Sequence, residues 1–396
     1  MFKNKALIPI AVVVFVDLLG FSIILPLLPY YASTFHASPQ MIGYLVASYS
    51  VCQFIAAPIL GGLSDKIGRR PLLIYSQLGS LAGFIVLGLA NSLPILFLSR
   101  IIDGISGGNI TIAQAYIADV TPPQERSGAM AIIGIGFGLG FIIGPPIGGF
   151  LATQFGYAAP AFAAAFFALC STSLTTFYLK EHQHVRDENA KTGLSYYTRV
   201  FDYMRDRNMR TLLTIFLFFA LPFSLYVSMF SLFAKIELNF TAQDVGLFLM
   251  FIGIMGVFWQ GAVIRPLVRK IGELMSLRLG LIALMVGLLG LVFARSIPWL
   301  GVVAIVFSFG TGVTRPTLSS LITQLAPPNR KGGALGASSS LESFSRSLAP
   351  ILGGWLIGGL HPNYIGYVGA FLALVAAVLA FGVHVADSRE MEPGLR

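Results

Sequence analysis

Apolar stretches with almost no charge recur along the chain, each about as long as a helix must be to cross a bilayer. The first, at 7–29, holds one charged residue, Asp17. Only 11% of the 396 residues are charged, against about a quarter in soluble proteins. An all-α integral membrane protein is therefore predicted, because a helix satisfies its own backbone hydrogen bonds in lipid. Twelve transmembrane helices are predicted at 7–29, 40–63, 72–90, 94–117, 128–152, 158–180, 209–234, 243–264, 274–294, 297–322, 333–357 and 364–386.

Lysine and arginine are distributed unevenly between the two sets of loops that join these spans. With the N-terminus in the cytoplasm, 21 of the 26 Lys and Arg residues fall on the cytoplasmic side, and only Lys235 and Arg295 on the outer side. Cytoplasmic loops carry such an excess. A multi-pass protein of the cell membrane, plasma or inner, with both termini cytoplasmic is therefore predicted. The same distribution explains the net charge of +9 and argues against nucleic acid as a partner.

Two parts of the chain repeat each other. IADVTPPQERSGAM at 117–130 is matched by ITQLAPPNRKGGAL at 322–335, which lies 205 positions later. At the same displacement, GPPIGG at 144–149 corresponds to APILGG at 349–354. Accidental similarity between loops would not keep this register.

The repeat divides the chain at its one long polar stretch. A six-helix bundle is predicted at 1–180, a cytoplasmic central loop at 181–208, and a second six-helix bundle at 209–396. Repeated bundles of this kind surround a central site in secondary transporters, and rocking one bundle on the other exposes that site to each side in turn.

A cluster of charges follows the second span, in GGLSDKIGRRPLL at 61–73. Its glycines allow close helix approach and a tight turn, and Arg69 can reach a carboxylate such as Asp119 at the end of span 4. The basic residues also suit a role in orienting the chain. The acidic Asp65 does not help to orient the chain. The cluster is therefore interpreted as a cytoplasmic gate element, with orientation of the chain as a second role. The predicted gate residues are Gly61, Asp65, Gly68, Arg69, Arg70 and Asp119.

Span 5 contains GIGFGLGFIIGPPIGG, in which glycines recur every four residues along one helix face and are followed by two prolines. Tight packing against a neighbouring helix is one interpretation, and a hinge between the two halves is the favoured one. The predicted hinge residues are Gly140, Gly144, Pro145, Gly148 and Gly149.

Through these two motifs the sequence resembles the major facilitator superfamily over essentially its whole length. It is most similar to the twelve-span tetracycline-type drug–proton antiporters, through RIIDGISGG and AYIADVTPPQERSGAM. The resemblance implies two pseudo-symmetric six-helix bundles, a latch at the 61–73 loop and a span-5 hinge. That family also uses acidic residues on spans 3 and 9, which the apolar cores of those spans lack here. This departure argues against tetracycline itself as the substrate.

Three carboxyl groups inside predicted spans are candidates for carrying a coupling proton: Asp17, Asp103 and Glu342. An ionisable group at that depth is costly unless it faces a partner or a wet cavity. Arg100 precedes Asp103 by three residues and Arg346 follows Glu342 by four, so buried salt bridges are the alternative for these two pairs. Asp17 has no such neighbour on its own span, and the choice between Asp17 and Asp103 stays open.

The residues predicted to line a substrate cavity are amides, a tyrosine and intramembrane arginines. They are Gln53, Arg100, Asn109, Gln114, Tyr226, Arg315 and Arg346. An aromatic, weakly polar lining suits amphipathic organic molecules, whereas the arginines keep anionic metabolites open.

Together these features predict a proton-coupled antiporter that exports small amphipathic organic compounds by alternating access. The alternative is a symporter or facilitator that imports an anionic metabolite. The expected partners are a small-molecule substrate, protons and the lipid bilayer. The sequence has no nucleotide-binding loop, so ATP is not expected as an energy source. No cofactor, metal site or enzyme activity is expected. The protein is expected to function as a monomer.

Overall fold

The computed structural model describes residues 7–122, 125–181, 203–327 and 331–383, and every regular element in these ranges is a helix. Most of the predicted central loop, residues 182–202, lies outside the described residues. The helices are α1 Leu7–Ile24, α2 Leu28–Thr34, α3 Pro39–Ile67, α4 Arg69–Gly88, α5 Leu93–Ile105, α6 Asn109–Val120, α7 Arg126–Phe155, α8 Ala158–Tyr178, α9 Arg207–Glu237, α10 Ala242–Phe258, α11 Ile264–Ile271, α12 Glu273–Val292, α13 Ile297–Leu325, α14 Lys331–Gly359 and α15 Tyr364–Phe381.

Three of the predicted spans contain an irregular turn that was not anticipated from the sequence. The first span is divided into α1 and α2 by a turn that contains Pro26. The fourth is divided into α5 and α6 by a turn at 106–108, which contains two glycines. The eighth passes through a π-helical turn, Trp259–Val263, between α10 and α11. Proline removes a backbone donor and glycine weakens a helix, which explains the first two breaks.

Helix ends coincide with residues whose chemistry caps or breaks a helix. The Ser38 hydroxyl accepts a hydrogen bond from the Met41 amide at the start of α3, 3.3 Å away. Gly68 and Gly272 separate α3 from α4 and α11 from α12, and their φ angles are +112° and +82°. Other residues rarely adopt this region. Both glycines therefore form sharp corners immediately before a charged residue.

Within the described residues, eleven helical segments are long and apolar enough to cross a membrane. Helix α14, which covers the predicted span at 333–357, is not among them. It is 29 residues long, but its serines and its charged residues Glu342 and Arg346 lower its mean hydropathy. The count of twelve spans therefore stays a prediction.

By its contacts the chain forms two compact units. The first comprises the described residues of 1–198, 224–257 and 343–365, and the second those of 199–223, 258–342 and 366–396. The first unit thus takes parts of α9, α10 and α14 together with α1–α8. The predicted division into bundles at 181–208 follows the sequence repeat and stays a prediction.

The apolar core of the first unit lies among α1, α4, α6 and α7. Ile10, Ile112 and Ile117 are fully buried there, and Leu73 is 1% exposed. Helices in lipid associate through close packing and not through exclusion of water. This core therefore stabilises the unit by its fit, and it lies beside the cavity described below.

A close crossing of α3 and α14 also belongs to the first unit. A Cβ atom added to Gly43 would lie 2.5 Å from the carbonyl oxygen of Pro350 and 3.1 Å from the Cα atom of Gly354. The Nε1 atom of Trp355 on α14 donates to the Tyr44 hydroxyl on α3 over 2.9 Å. The two helix backbones therefore touch, which only glycine permits.

Replacing Gly43 with alanine is expected to lower the free energy of unfolding by about 1–3 kcal/mol, the usual cost of overpacking. The new methyl group would meet backbone atoms, which cannot move aside as a flexible side chain does. The melting temperature of the purified protein in detergent measures this loss. Gly134→Ala is the matched control, because a Cβ atom there meets nothing within 4 Å. Equal melting temperatures for the two variants would contradict the crossing.

In the second unit the closest pair of helices is α12 and α13. A Cβ atom on Gly310 of α13 would lie 2.5 Å from the Leu284 amide nitrogen, and one on Gly287 of α12 would lie 3.0 Å from the Phe307 Cα atom. Small residues thus bring these helices into backbone contact. The same residue type organises the close contacts of both units.

Candidate functional site

A cavity of about 630 Å³, counting its open mouth, lies inside the first unit. Its aromatic wall is formed by Phe21, Phe84 and Phe137. Its polar and charged lining residues are Asp17, Tyr49, Gln53, Ser80, Asp103, Asn109 and Arg346. Five residues singled out from the sequence are thereby brought together: Asp17, Gln53, Asp103, Asn109 and Arg346.

Asp17 reaches the cavity from α1 and is half-buried. The Nε2 atom of Gln77 on α4 donates to its carboxylate, 3.2 Å from Oδ2 and 3.5 Å from Oδ1. In the described part of the chain Asp17 forms no ion pair. Its carboxylate is therefore stabilised by neutral groups, and it faces space that a solute or water can enter.

Asp103 has a different environment, because its neighbour Arg100 neutralises it. Arg100 Nη1 lies 3.0 Å from Asp103 Oδ2, and the side chains are only 3% and 4% exposed. The Arg100 guanidinium also lies 5.6 Å from the centre of the Phe84 ring, within cation–π range. The sequence predicted that Arg100 lines the cavity, but it is buried behind the wall, and only Asp103 and Phe84 reach the surface.

Two amides and an arginine complete the polar lining. Gln53 Nε2 donates to the Tyr49 hydroxyl over 2.9 Å and to the Gly107 carbonyl oxygen over 3.0 Å, so its orientation is fixed. The Oδ1 atom of Asn109 is buried and accepts no hydrogen bond from the described part of the chain. Arg346 enters from α14. An unpaired buried acceptor is costly, which marks Asn109 as a group able to accept a bond from a solute.

The other predicted cavity residues lie elsewhere. Gln114 is exposed on α6 and is not part of the lining. Tyr226 is 2% exposed and packs on the Phe230 ring at 5.0 Å. Arg315 belongs to the second unit, where its Nη2 atom lies 2.7 Å from Glu342 Oε2. Arg315 is thus a partner for a carboxylate on another helix, which the sequence spacing did not reveal.

The loop between α3 and α4 contains a network centred on Arg69. Its Nη2 atom lies 2.5 Å from Asp65 Oδ1, its Nε atom 2.9 Å from Asp119 Oδ2, and its Nη1 atom 2.5 Å from the Ser64 hydroxyl. Arg69 is only 8% exposed. One guanidinium therefore ties the end of α3 to the end of α6, and the contact with Asp119 is the one that the sequence suggested.

The remaining predicted gate residues hold the same corner. Arg70 Nη2 donates to the Thr176 carbonyl oxygen on α8 over 2.6 Å. A Cβ atom on Gly68 would lie 2.7 Å from Glu181 Oε1, and its φ angle favours glycine in any case. Gly61 lies beside α6: a Cβ atom added to it would be 3.5 Å from the Cγ2 atom of Thr111. The corner thus joins four helices of the first unit.

The corresponding corner of the second unit carries the opposite charge. Glu273, which lies 204 positions after Arg69, accepts hydrogen bonds from Ser320 Oγ at 2.7 Å and from Gln324 Nε2 at 3.0 Å. Gln324 lies 205 positions after Asp119. In the first corner the first-turn residue Arg69 donates to Asp119, whereas in the second the first-turn residue Glu273 accepts from Gln324. In both corners a residue in the first turn of one helix is bonded to the end of a neighbouring helix.

The glycine–proline motif of α7 has two contact faces. Gly140, Gly144 and Gly148 lie against α1, where built Cβ atoms would meet Leu18, Ser22 and Ile23 respectively. The Ser22 hydroxyl donates to the Gly140 carbonyl oxygen over 2.8 Å. These three glycines therefore pack closely against α1, which both interpretations of the motif require, and the hinge stays a prediction.

The second face of the motif meets α10, which comes from the other half of the sequence. A Cβ atom on Gly149 would lie 2.6 Å from the Ala242 carbonyl oxygen, and one on Gly246 would collide with the Pro145 carbonyl oxygen. All four residues belong to the first unit. Pro145 and Gly149 therefore lie at a contact between helices from the two halves of the sequence.

Comparison with known proteins identifies the family. The family model for the Major Facilitator Superfamily matches residues 10–350. Multidrug resistance protein 2 of Bacillus subtilis (strain 168) is 30% identical, over 91% of each chain. The class C tetracycline resistance protein of Escherichia coli is 28% identical, over 88% of this chain and 89% of that protein.

Solved structures agree with this assignment. The crystal structure of the human organic anion transporter MFSD10 (TETRAN) superposes with a TM-score of 0.73, covers 96% of this chain and 100% of its own, and is 25% identical. Sequence, fold and cavity thus lead to one family. The chain belongs to the Major Facilitator Superfamily: it is a multi-pass membrane transporter of small molecules, and not an enzyme.

Proposed function

We propose that this transporter exports amphipathic organic compounds in exchange for protons, and that Asp17 carries the proton. The observation that carries the proposal is the setting of Asp17, a half-buried carboxyl at the cavity wall whose hydrogen-bond partners are neutral. Such a group can change its protonation without breaking an ion pair. Asp103 is a weaker candidate than Asp17, because Arg100 holds it as a carboxylate. Glu342 is also a weaker candidate, because it is paired with Arg315.

The lining indicates what kind of substrate the cavity would bind. Its aromatic wall favours flat or greasy molecules, and Asp17 and the unpaired Asn109 oxygen favour molecules that donate hydrogen bonds or carry positive charge. Relatives named for multidrug and tetracycline resistance support this class of substrate. Tetracycline itself is not proposed, because α4 and α12 carry no carboxylate in their apolar cores.

Alternating access would use the corner around Arg69 as a latch at the predicted cytoplasmic face, and the contact of Pro145 and Gly149 with α10 as a hinge. Arg69 holds two carboxylates at once, so releasing it requires several bonds to break together. The energy would come from the proton gradient and not from ATP, in a monomer of the cell membrane with cytoplasmic termini.

Import of an anionic metabolite is the second candidate function. Arg346 lines the cavity and can bind a carboxylate or phosphate, and one structural relative is named an organic anion transporter. Under this alternative Arg346 would hold the substrate, and Asp17 would release a proton together with it.

The test uses everted membrane vesicles with an imposed proton gradient and a pH-quenched dye. Cationic and neutral amphiphiles are expected to dissipate the gradient only in vesicles that contain the protein, because each exported molecule releases protons in the opposite direction. A panel of organic anions added to the same vesicles tests the alternative. Dissipation by anions alone would replace the proposed function with anion transport.

A further inference from the structure

Gln77 is fully buried in α4, at 0% exposure, and joins three helices. Its Nε2 atom donates to Asp17 on α1 at 3.2 Å and to the Ser171 hydroxyl on α8 at 2.8 Å. An amide nitrogen has two hydrogens, so both are used. No other described side chain donates to Asp17 from α4.

Ser171 determines which atom of the Gln77 amide faces Asp17. The Ser171 hydroxyl donates to the Val13 carbonyl oxygen over 3.3 Å, and the Asp17 carboxylate is a second acceptor in its reach. The Val13 carbonyl and the Asp17 carboxylate can only accept, so the single hydrogen of the Ser171 hydroxyl must be donated to one of them. The Ser171 oxygen can therefore only accept a hydrogen bond from Gln77. The amide must therefore present its nitrogen, not its oxygen, to Ser171 and Asp17.

The other end of the amide shows what this orientation costs. Gln77 Oε1 is buried and has no hydrogen-bond partner among the residues that the structure describes. A buried unpaired carbonyl is unfavourable, and a structural amide would normally place its oxygen where a donor awaits it. The orientation is thus set by the contacts to Ser171 and Asp17, at the expense of Oε1.

We propose that Gln77, oriented by Ser171, is a positioning residue that holds Asp17 as the carboxylate and so favours proton release in this conformation. The proposal rests on the proposed function, in which Asp17 exchanges the proton. A donor facing Asp17 stabilises the charged form, because a carboxylate accepts a stronger hydrogen bond from the amide than the protonated carboxyl does. A conformation that took up protons would need the amide turned over or withdrawn.

Other charged and titratable groups face Asp17 from neighbouring helices and act on it as well. Asp103 on α5 repels the charged form, and Arg100 beside it offsets that repulsion. Arg346 on α14 and Tyr49 on α3 share the cavity wall. These groups are the same in a variant of Gln77, so comparing that variant with the wild-type protein isolates the effect of the amide, whereas a variant of Ser171 also removes a hydroxyl within reach of Asp17.

The experiment is a pH titration of purified protein by infrared difference spectroscopy, which detects the carbonyl band of a protonated carboxyl group. The band that disappears in Asp17→Asn reports Asp17. Gln77→Met keeps the length of the side chain and removes the donor. We expect this variant to move the midpoint of that band upward by about one to two pH units, the value of a hydrogen bond to a charged group.

Ser171→Ala is the second variant, for the case that Gln77→Met does not fold. It frees the amide to turn and also removes a hydroxyl within reach of Asp17, and we expect the midpoint to shift in the same direction for both reasons. Ser173→Ala is the matched control, because Ser173 is on the same helix and donates only to the Leu169 carbonyl oxygen. It is expected to leave the midpoint unchanged.

An Asp17 midpoint that is unchanged in folded Gln77→Met or Ser171→Ala would overturn the proposal. This outcome is distinct from failure of the proposed function, because the spectrum needs no substrate. If the vesicles show no proton exchange but the Asp17 midpoint still shifts in the variant, then Gln77 does position Asp17, and only the proposed proton-coupled export is contradicted. If wild-type protein shows no Asp17 band at any pH, Gln77 has no proton to influence and the proposal fails.

Discussion

Vesicles that carry the Asp17→Asn variant are expected to show no substrate-driven dissipation of the proton gradient, so that their signal equals that of vesicles without the protein. Asparagine keeps the size of the side chain but cannot take up and release a proton. Asp17 lies at the cavity wall with neutral hydrogen-bond partners, so no described neighbour stands ready to replace it. The measurement is the dye signal of the everted vesicles at equal amounts of protein.

Loss of coupling must be distinguished from loss of the site. Exchange of labelled for unlabelled substrate across liposomes needs binding and the conformational change but no net proton movement. It is therefore expected to continue in Asp17→Asn. Asp103→Asn serves as the comparison, since its folded fraction should keep proton coupling. Full coupling in Asp17→Asn would contradict the assignment and move the proton to another carboxyl.

The contact between Arg69 and Asp119 was accessible from the sequence because both residues stand at predicted ends of spans on the same side of the membrane. Opposite charges in neighbouring loops at one face have few other partners. The corner at Gly68 was accessible for a similar reason, since glycine between two helices indicates a turn. Such features depend on local sequence and topology, which the hydropathy pattern supplies.

Gln77 was not among the predicted site residues, because the prediction for span 3 depended on a carboxylate and its apolar core has none. A signal was available: a glutamine inside the apolar run LLIYSQLG must be paired if it is buried. Its partner Asp17 on α1 is 60 positions away in the sequence, and its partner Ser171 on α8 is 94 positions away. Only the packing of three helices reveals which polar groups meet.

Spacing along one helix also gave an incomplete account of Glu342. The sequence offered Arg346, four residues later, whereas the structure adds Arg315 from α13 at 2.7 Å. The glycines of α7 were correctly placed on one face, but their packing partner α1 came from the structure. Periodicity identifies a face, and the helix that covers it is a matter of tertiary packing.

Replacing Arg100 with methionine is expected to lower the free energy of unfolding by about 3–5 kcal/mol, because it leaves a buried carboxylate without its partner. Arg100 and Asp103 lie 3.0 Å apart and are almost completely buried, so the little water that reaches Asp103 from the cavity cannot replace the ion pair in the variant. Thermal unfolding of purified protein measures the loss. Arg315→Met is the comparison: the Arg315 side chain is 47% exposed and that of Glu342 is 13% exposed, so water reaches this pair better than the Arg100–Asp103 pair and a smaller loss of stability is expected.

The double variant Arg100→Met/Asp103→Asn separates a structural ion pair from a proton site. Removing both charges also removes the cost of the unpaired one, so the double variant should regain at least half of the stability lost by Arg100→Met. If the double variant still couples protons, the pair serves to hold α5 in place, and Asp17 is sufficient for exchange. If it folds well and has lost coupling, Asp103 must take part in proton transfer, and its ion pair with Arg100 must open during the cycle.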